Sequence, residues 1–152
     1  MLAPDDRSTL LELLEPPAGY ELDAAAGLTY TLDLDALLTL PTAFALRSGS
    51  SVEEADSGLT PLDVLDALRS YADRITVCCD AAGIALPSGA RMGVFAFLER
   101  TVVPMRAPRG GVFHPKAWVV RFRDDDDYVV HRLLVASRNL TFDRSWDTVL
   151  QL

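Results

Sequence analysis

Apolar residues along the chain repeat with two periods, and the two alternate from one segment to the next. Leu28, Tyr30, Leu32 and Leu34 alternate with Thr29, Thr31 and Asp33, which predicts a strand over 28–34 with one buried face. Residues 75–79 are apolar except for Thr76 and predict a strand buried on both faces. Two longer strands are predicted over 113–123 and 128–137, folded around the turn Asp124-Asp125-Asp126-Asp127, and a last strand over 148–152. Helical signals lie between them. Leu10, Leu11, Leu13 and Leu14 precede Pro16-Pro17, the mark of a short amphipathic helix within 1–15 that the prolines end. Asp35 is the expected N-cap of a helix over 36–46, with Pro41 a kink or break inside it. Thr60 caps a further helix, with Pro61 at its first position and Leu62, Leu65 and Leu68 at helical spacing. Residues 47–58 and 80–91 read as loops, and 92–98 and 101–105 as strand or mixed structure.

Strands interleaved with helices predict an α/β domain, a mixed β-sheet flanked by helices. The 152 residues suit one domain with a real core. That domain is either the whole protein or the N-terminal part of a longer one.

Composition narrows the function classes. Apolar residues make up 49% and charged residues 24%, ordinary for a soluble globular chain. No apolar run approaches the roughly 18 residues of a membrane span. The first residues lack the basic and apolar regions of a signal peptide. Cys78 and Cys79 are adjacent and read as core thiols on a strand rather than a bridge. A cytoplasmic location is the expectation.

The net charge of −8 argues against a general nucleic-acid coat. The charge is unevenly placed, however: residues 1–90 sum to −11 and residues 91–152 to +3. The basic end is where a phosphate-binding surface is expected.

That end holds the candidate chemistry. Lys116 is the only lysine, two residues after His114 in Phe113-His114-Pro115-Lys116. Ala136-Ser137-Arg138-Asn139-Leu140-Thr141 follows on the next strand. Residues two apart on a strand share a face, so His114 pairs in direction with Lys116, and Ser137 with Asn139. A hairpin centred between Asp125 and Asp126 sets His114 opposite Ser137 and Lys116 opposite Val135. Trp118, Val120, Leu133 and Val135 would then line the same face. A neutral imidazole can attack phosphorus, while an ammonium, a hydroxyl and an amide stabilise the non-bridging oxygens. These donors make a metal unnecessary, so no cofactor is expected. A carboxylate behind the imidazole would fix its tautomer. Asp147 and Asp143 are the candidates, with Asp147 preferred at the start of the last strand.

His-x-Lys followed by Ser-x-Asn resembles the half-site of the phospholipase D superfamily, and Ser137-Arg138-Asn139-Leu140-Thr141 is similar to its bacterial nuclease-like members. The motif-bearing resemblance covers roughly residues 112–152. It implies a phospholipase D-like domain and a metal-independent phosphodiesterase, a nuclease acting through a phosphohistidine. His114 would be the nucleophile or its acid/base twin. Lys116, Ser137 and Asn139 would form the phosphate clamp, and Asp147 would match the carboxylate that follows Ser-x-Asn. Two positions depart from the pattern: Arg121 stands where the family often has Asp, and Ala136 where it often has Gly.

The family reaction uses two histidines from two motif copies. His131 is not a second copy, since Arg132-Leu133 follows it. A second site must come from a homodimer or from a second phospholipase D-like half. The expected substrate is a phosphodiester, DNA or RNA. Two alternatives stay open: a catalytically incomplete half-domain that serves dimerisation or nucleic-acid binding, and a phospholipid headgroup hydrolase.

Overall fold

A computed structural model describes residues 9–48, 61–86, 92–143 and 145–152. Its centre is a six-stranded mixed sheet in the order β5-β3-β1-β6-β7-β8. The strands are β1 (Glu21–Thr29), β3 (Ile75–Asp80), β5 (Val102–Met105), β6 (Ala117–Arg123), β7 (Val129–Ala136) and β8 (Val149–Gln151). A two-stranded parallel pair, β2 (Leu32–Asp33) and β4 (Ile84–Ala85), stands beside it. The helices are α1 (Leu10–Leu13), α2 (Leu34–Ser48), α3 (Pro61–Ala72) and α4 (Met92–Phe95). The α/β class is as the sequence predicts.

One face of the sheet carries the core. Leu22 and Ala25 of β1, Ile75, Val77 and Cys79 of β3, Trp118, Val120 and Phe122 of β6, and Leu134 of β7 pack with Leu37, Leu40 and Phe44 of α2 and Tyr71 of α3. Gly27 is needed there, because a Cβ would lie 2.7–2.8 Å from the Trp118 ring. On the other face Val103, Val119, Val135 and Leu150 are exposed. Among the described residues the helices therefore cover one side of the sheet rather than both.

Several elements differ from their prediction. The segment 28–34 is not one strand: β1 ends at Thr29 and the chain turns before β2. Most of β1 was hidden because Ala24-Ala25-Ala26 carries no contrast, and a bulge at Asp23 breaks the period of two. The α2 helix starts at Leu34, and the Asp33 carboxylate, not Asp35, accepts an N–H from the first turn, that of Asp35 at 2.9 Å. Strand β3 alternates buried and exposed positions instead of being buried on both faces. Cys79 is buried, but Cys78 is only half-buried. Residues 92–98 are helical, as α4 and a 3-10 turn. The expected Thr60 cap lies outside the described residues, as does most of the loop 47–58.

Strand β6 starts at Ala117 rather than residue 113, and β7 ends at Ala136. Their register is shifted by one from the expectation: Ala117 pairs with Val135 and Trp118 with Leu134. The turn explains the shift. Asp124 and Tyr128 close it, and Asp127 takes φ 66° within it. The hairpin is thus centred on Asp126, with a longer connection than two residues. Trp118 and Val120 share a face with Leu134 and Arg132, while Leu133 and Val135 point to the open side.

Candidate functional site

Parallel β1, β3 and β5 end at the sheet edge where β6 begins and β7 ends. Ligands of open α/β sheets bind outside the carboxyl ends of parallel strands. His114, Lys116, Ser137 and Asn139 all belong to the segments that meet this edge.

His114 lies on extended chain just before β6 and is exposed. Lys116 is half-buried, with Nζ 3.1 Å from His114 Nδ1 and 3.3 Å from Nε2. An ammonium has no acceptor, so it donates to a ring nitrogen lone pair. The other side of the ring rests on Tyr30, with centroids 4.8 Å apart and planes tilted by 41°.

Tyr30 also holds Asn139, its N–H donating to Asn139 Oδ1 at 3.2 Å. Asn139 Nδ2 is 3.4 Å from Thr31 Oγ1. The Leu140 N–H donates to buried Thr29 Oγ1 at 3.0 Å, and the Asp33 N–H donates to the Leu140 carbonyl at 2.9 Å. The end of β1 therefore brings His114 and Asn139 together through one residue, Tyr30. That residue was read only as part of an alternating strand, and nothing in the local sequence distinguishes it.

Asp80, the last residue of β3, was likewise missed. Its carboxylate accepts the Phe113 N–H at 2.9 Å and the Ala82 N–H at 3.0 Å. Those two bonds, Phe113 first, hold its carboxyl below the ordinary range despite burial. The Asp80 N–H in turn donates to the Tyr30 carbonyl at 3.2 Å. Asp80 thus pins the backbone one residue before His114. Gly83 packs against the same carbonyl, and a Cβ there would lie 2.3 Å from it.

Ser137 and Asp147 do not take their expected places. The Ala136 N–H donates to the Lys116 carbonyl at 2.9 Å, so Lys116 faces Ala136, not Val135, and Ser137 is not the partner of His114. Strand alternation assigns Ser137 to the open side. Its hydroxyl donates to Asp147 Oδ1 at 2.6 Å and accepts the Thr148 N–H at 3.0 Å. The same Asp147 oxygen accepts the N–H groups of Ser137 and Arg138 at 2.9 and 3.1 Å. Asp147 therefore braces the turn after β7 instead of backing the imidazole. The cause is the β7–β8 pairing of Ala136 with Val149, which delivers Asp147 to the Ser137 amide.

Asp143 serves the same turn. It pairs with Arg138 and accepts the Ser145 N–H and the Thr141 hydroxyl. Ser145, then Arg138, holds its carboxyl well below the usual range. Arg121, in the position where an Asp was expected, pairs with Asp23 at the other end of the sheet.

The site is therefore two linked clusters: His114, Lys116, Tyr30 and Asn139, and beside them Ser137 with Asp147. Among the described residues no set of three His, Cys, Asp or Glu side chains is grouped to hold a metal ion. No family model, no curated protein and no solved structure matches this chain.

Proposed function

We propose that this chain is a metal-independent phosphodiesterase of the phospholipase D type, a nuclease acting through His114. The observation that carries the reading is the contact of the only lysine with one of the two histidines, on the exposed carboxyl edge of a mixed sheet. In the proposed step Lys116 turns its hydrogen bond from the imidazole to the phosphate, the ring nitrogen it leaves attacks phosphorus with its lone pair, an N–P bond forms and the P–O ester bond breaks. Lys116 and the Asn139 amide donate to the non-bridging oxygens as charge builds on them. A second imidazole protonates the leaving oxygen and then deprotonates the water that releases the phosphohistidine. That imidazole comes from a second copy of the chain or from a second half-site. A cytoplasmic location belongs to the same proposal. Among the described residues, no helix is long and apolar enough to cross a membrane.

One observation favours a second reading, a half-domain that binds without cleaving: Asp147 bonds Ser137, so among the described residues no carboxylate hydrogen-bonds the imidazole. Cleavage of a generic phosphodiester in EDTA, with acid-labile phosphate trapped on His114, separates the two. His114→Ala should abolish the cleavage with the fold intact. Equal cleavage by wild type and variant, or none by wild type, would reject the enzyme reading. Solution mass adds the stoichiometry, since a two-fold dimer with paired His114 residues is expected of the active form.

A further inference from the structure

We propose that the carboxyl edge binds single-stranded nucleic acid, its phosphates on Arg106, Arg109 and Lys116 and its bases stacked on Phe142 and Trp146. This rests on the site assigned above and names its substrate class. The first observation is charge. The chain carries −8 overall, yet residues 101–123 contain no Asp or Glu and five basic side chains. Three of the five, Arg106, Arg109 and Lys116, lie on the connection from β5 to β6 that leads through His114. Arg106 and Arg109 are exposed.

The second observation is shape. A shallow depression of about 370 Å³ runs beside this connection, with Asp80, Ala81, Ala82, Met105, Arg106 and Gly111 among its walls. Asp80 reaches from it to the Phe113 N–H, so the depression adjoins the histidine segment. Its small side chains and backbone let a sugar-phosphate chain lie close.

The third observation is the loop that follows β7 at the same edge. The loop from Ser137 to Thr148 leaves and rejoins the same edge, tied at its base by the Ser137 N–H to the Thr148 carbonyl. It exposes Phe142 by 65% and Trp146 by 75%. Three carboxylates of this edge are already hydrogen-bonded, Asp80 by Phe113 and Ala82, Asp143 by Arg138 and Ser145, and Asp147 by Ser137 and Arg138. Cations together with exposed aromatic rings at one edge are the combination that holds unpaired strands, because only unstacked bases offer their faces to a ring. A duplex offers phosphates but no free base face, and a lipid headgroup gives the two rings nothing flat to stack on.

The test is fluorescence anisotropy in EDTA with the full chain and a labelled oligothymidylate of about 16 nucleotides whose phosphorothioate linkages resist cleavage. A duplex of the same length and vesicles rich in phosphatidylserine are the competing probes. Tighter binding to the single strand is expected. Trp146→Ala and Phe142→Ala should each weaken it about tenfold, and Trp146→Tyr should restore most of the loss. Arg106→Ala with Arg109→Ala should lower the salt slope by about 1.4. Equal affinity for the duplex, preference for vesicles, or unchanged binding in the aromatic variants would overturn the proposal. His114→Ala keeps the failures apart. If that variant binds like wild type and Trp146→Ala does not, the strand surface stands whether or not wild type cleaves. If His114→Ala stops cleavage while Trp146→Ala changes neither affinity nor KM, the catalytic reading stands and the strand surface falls.

Discussion

The two ends of the sheet are both polar, but they use their polar groups differently. At the hairpin end, charges meet opposite charges. Arg121 and Arg123 pair with Asp23, and Arg123 also pairs with Asp127. At the carboxyl end the only lysine meets an imidazole instead of a carboxylate. Of the acids there, Asp143 pairs with Arg138, but Asp80 is bound to the N–H groups of Phe113 and Ala82, and Asp147 to those of Ser137 and Arg138. A cluster that neutralises itself has finished its chemistry. An ammonium set against an imidazole, on backbone fixed by carboxylates, keeps two groups for a ligand that brings its own negative charge.

The sharpest break of that comparison is to remove one cation from each end. Lys116→Ala should cost about 10²–10³ in kcat on a phosphodiester, the loss typical of a donor to developing charge. Lys116→Arg should recover little, because a planar fork does not replace a compact ammonium beside an imidazole. Arg123→Ala should leave kcat within about twofold, since surface ion pairs are worth little and this one lies at the far end. Steady-state cleavage in EDTA reads all three. Similar losses for Lys116→Ala and Arg123→Ala would erase the distinction between the ends.

Glycines sharpen it in stability. At Gly83 a Cβ would lie 2.3 Å from the Tyr30 carbonyl, a backbone atom that has little room to yield. Gly83→Ala should cost about 1–3 kcal/mol by urea unfolding. It should also lower activity, because Tyr30 holds both His114 and Asn139. At the start of β1, Gly19 has open space around it and φ +81°. Gly19→Ala should cost about 1–2 kcal/mol through backbone conformation alone, with activity unchanged.

How far the sequence was legible follows the same division. The long hairpin was readable because 117–123 and 129–136 are rich in valine and other large apolar residues around an unmistakable turn. His114 and Lys116 stood out because their types are rare here: one lysine and two histidines. The register was not readable, since it depends on whether Asp127 adopts a left-handed backbone, and that adds a residue to the turn. Tyr30 and Asp80 were invisible for another reason. Each acts through contacts 84 and 33 residues away in sequence, to His114 and Phe113, and a tyrosine or aspartate at a strand end has no local signature. The preference for Asp147 as the carboxylate behind His114 failed because proximity in sequence to a last strand does not say which neighbour an oxygen will meet.

Acid should distinguish the ends next. The Asp80 carboxyl is held below its ordinary value by the Phe113 and Ala82 N–H groups, so the folded state favours the charged form. That stabilisation is present above the ordinary value of about 4 and fades as pH falls through it. Thermal melts from pH 7 to 3 should therefore lose stability at the low end. Asp80→Asn should start lower and lose less, since an amide does not titrate. Parallel curves for wild type and Asp80→Asn would mean that the Phe113 tether contributes nothing to folding.

The smallest effect is expected at the opposite end. Burial raises the Asp23 carboxyl, but hydrogen bonds from Arg123 and Arg121 outweigh it, and the net shift is downward. The sign of its pH dependence is therefore the same as for Asp80. Its partners differ: both are half-exposed arginines, and Arg123 keeps Asp127 when Asp23 is neutralised. Water and salt already screen such pairs. Asp23→Asn should lower the Tm slightly at low ionic strength and not at all in high salt, whereas Asp80→Asn should be destabilising at both, because an N–H bond inside a closed turn is not exchanged for a counterion. If added salt rescued Asp80→Asn as well, the carboxyl edge would be held by screened charge like the hairpin end, and the contrast between fixed backbone and self-neutralised pairs would be lost.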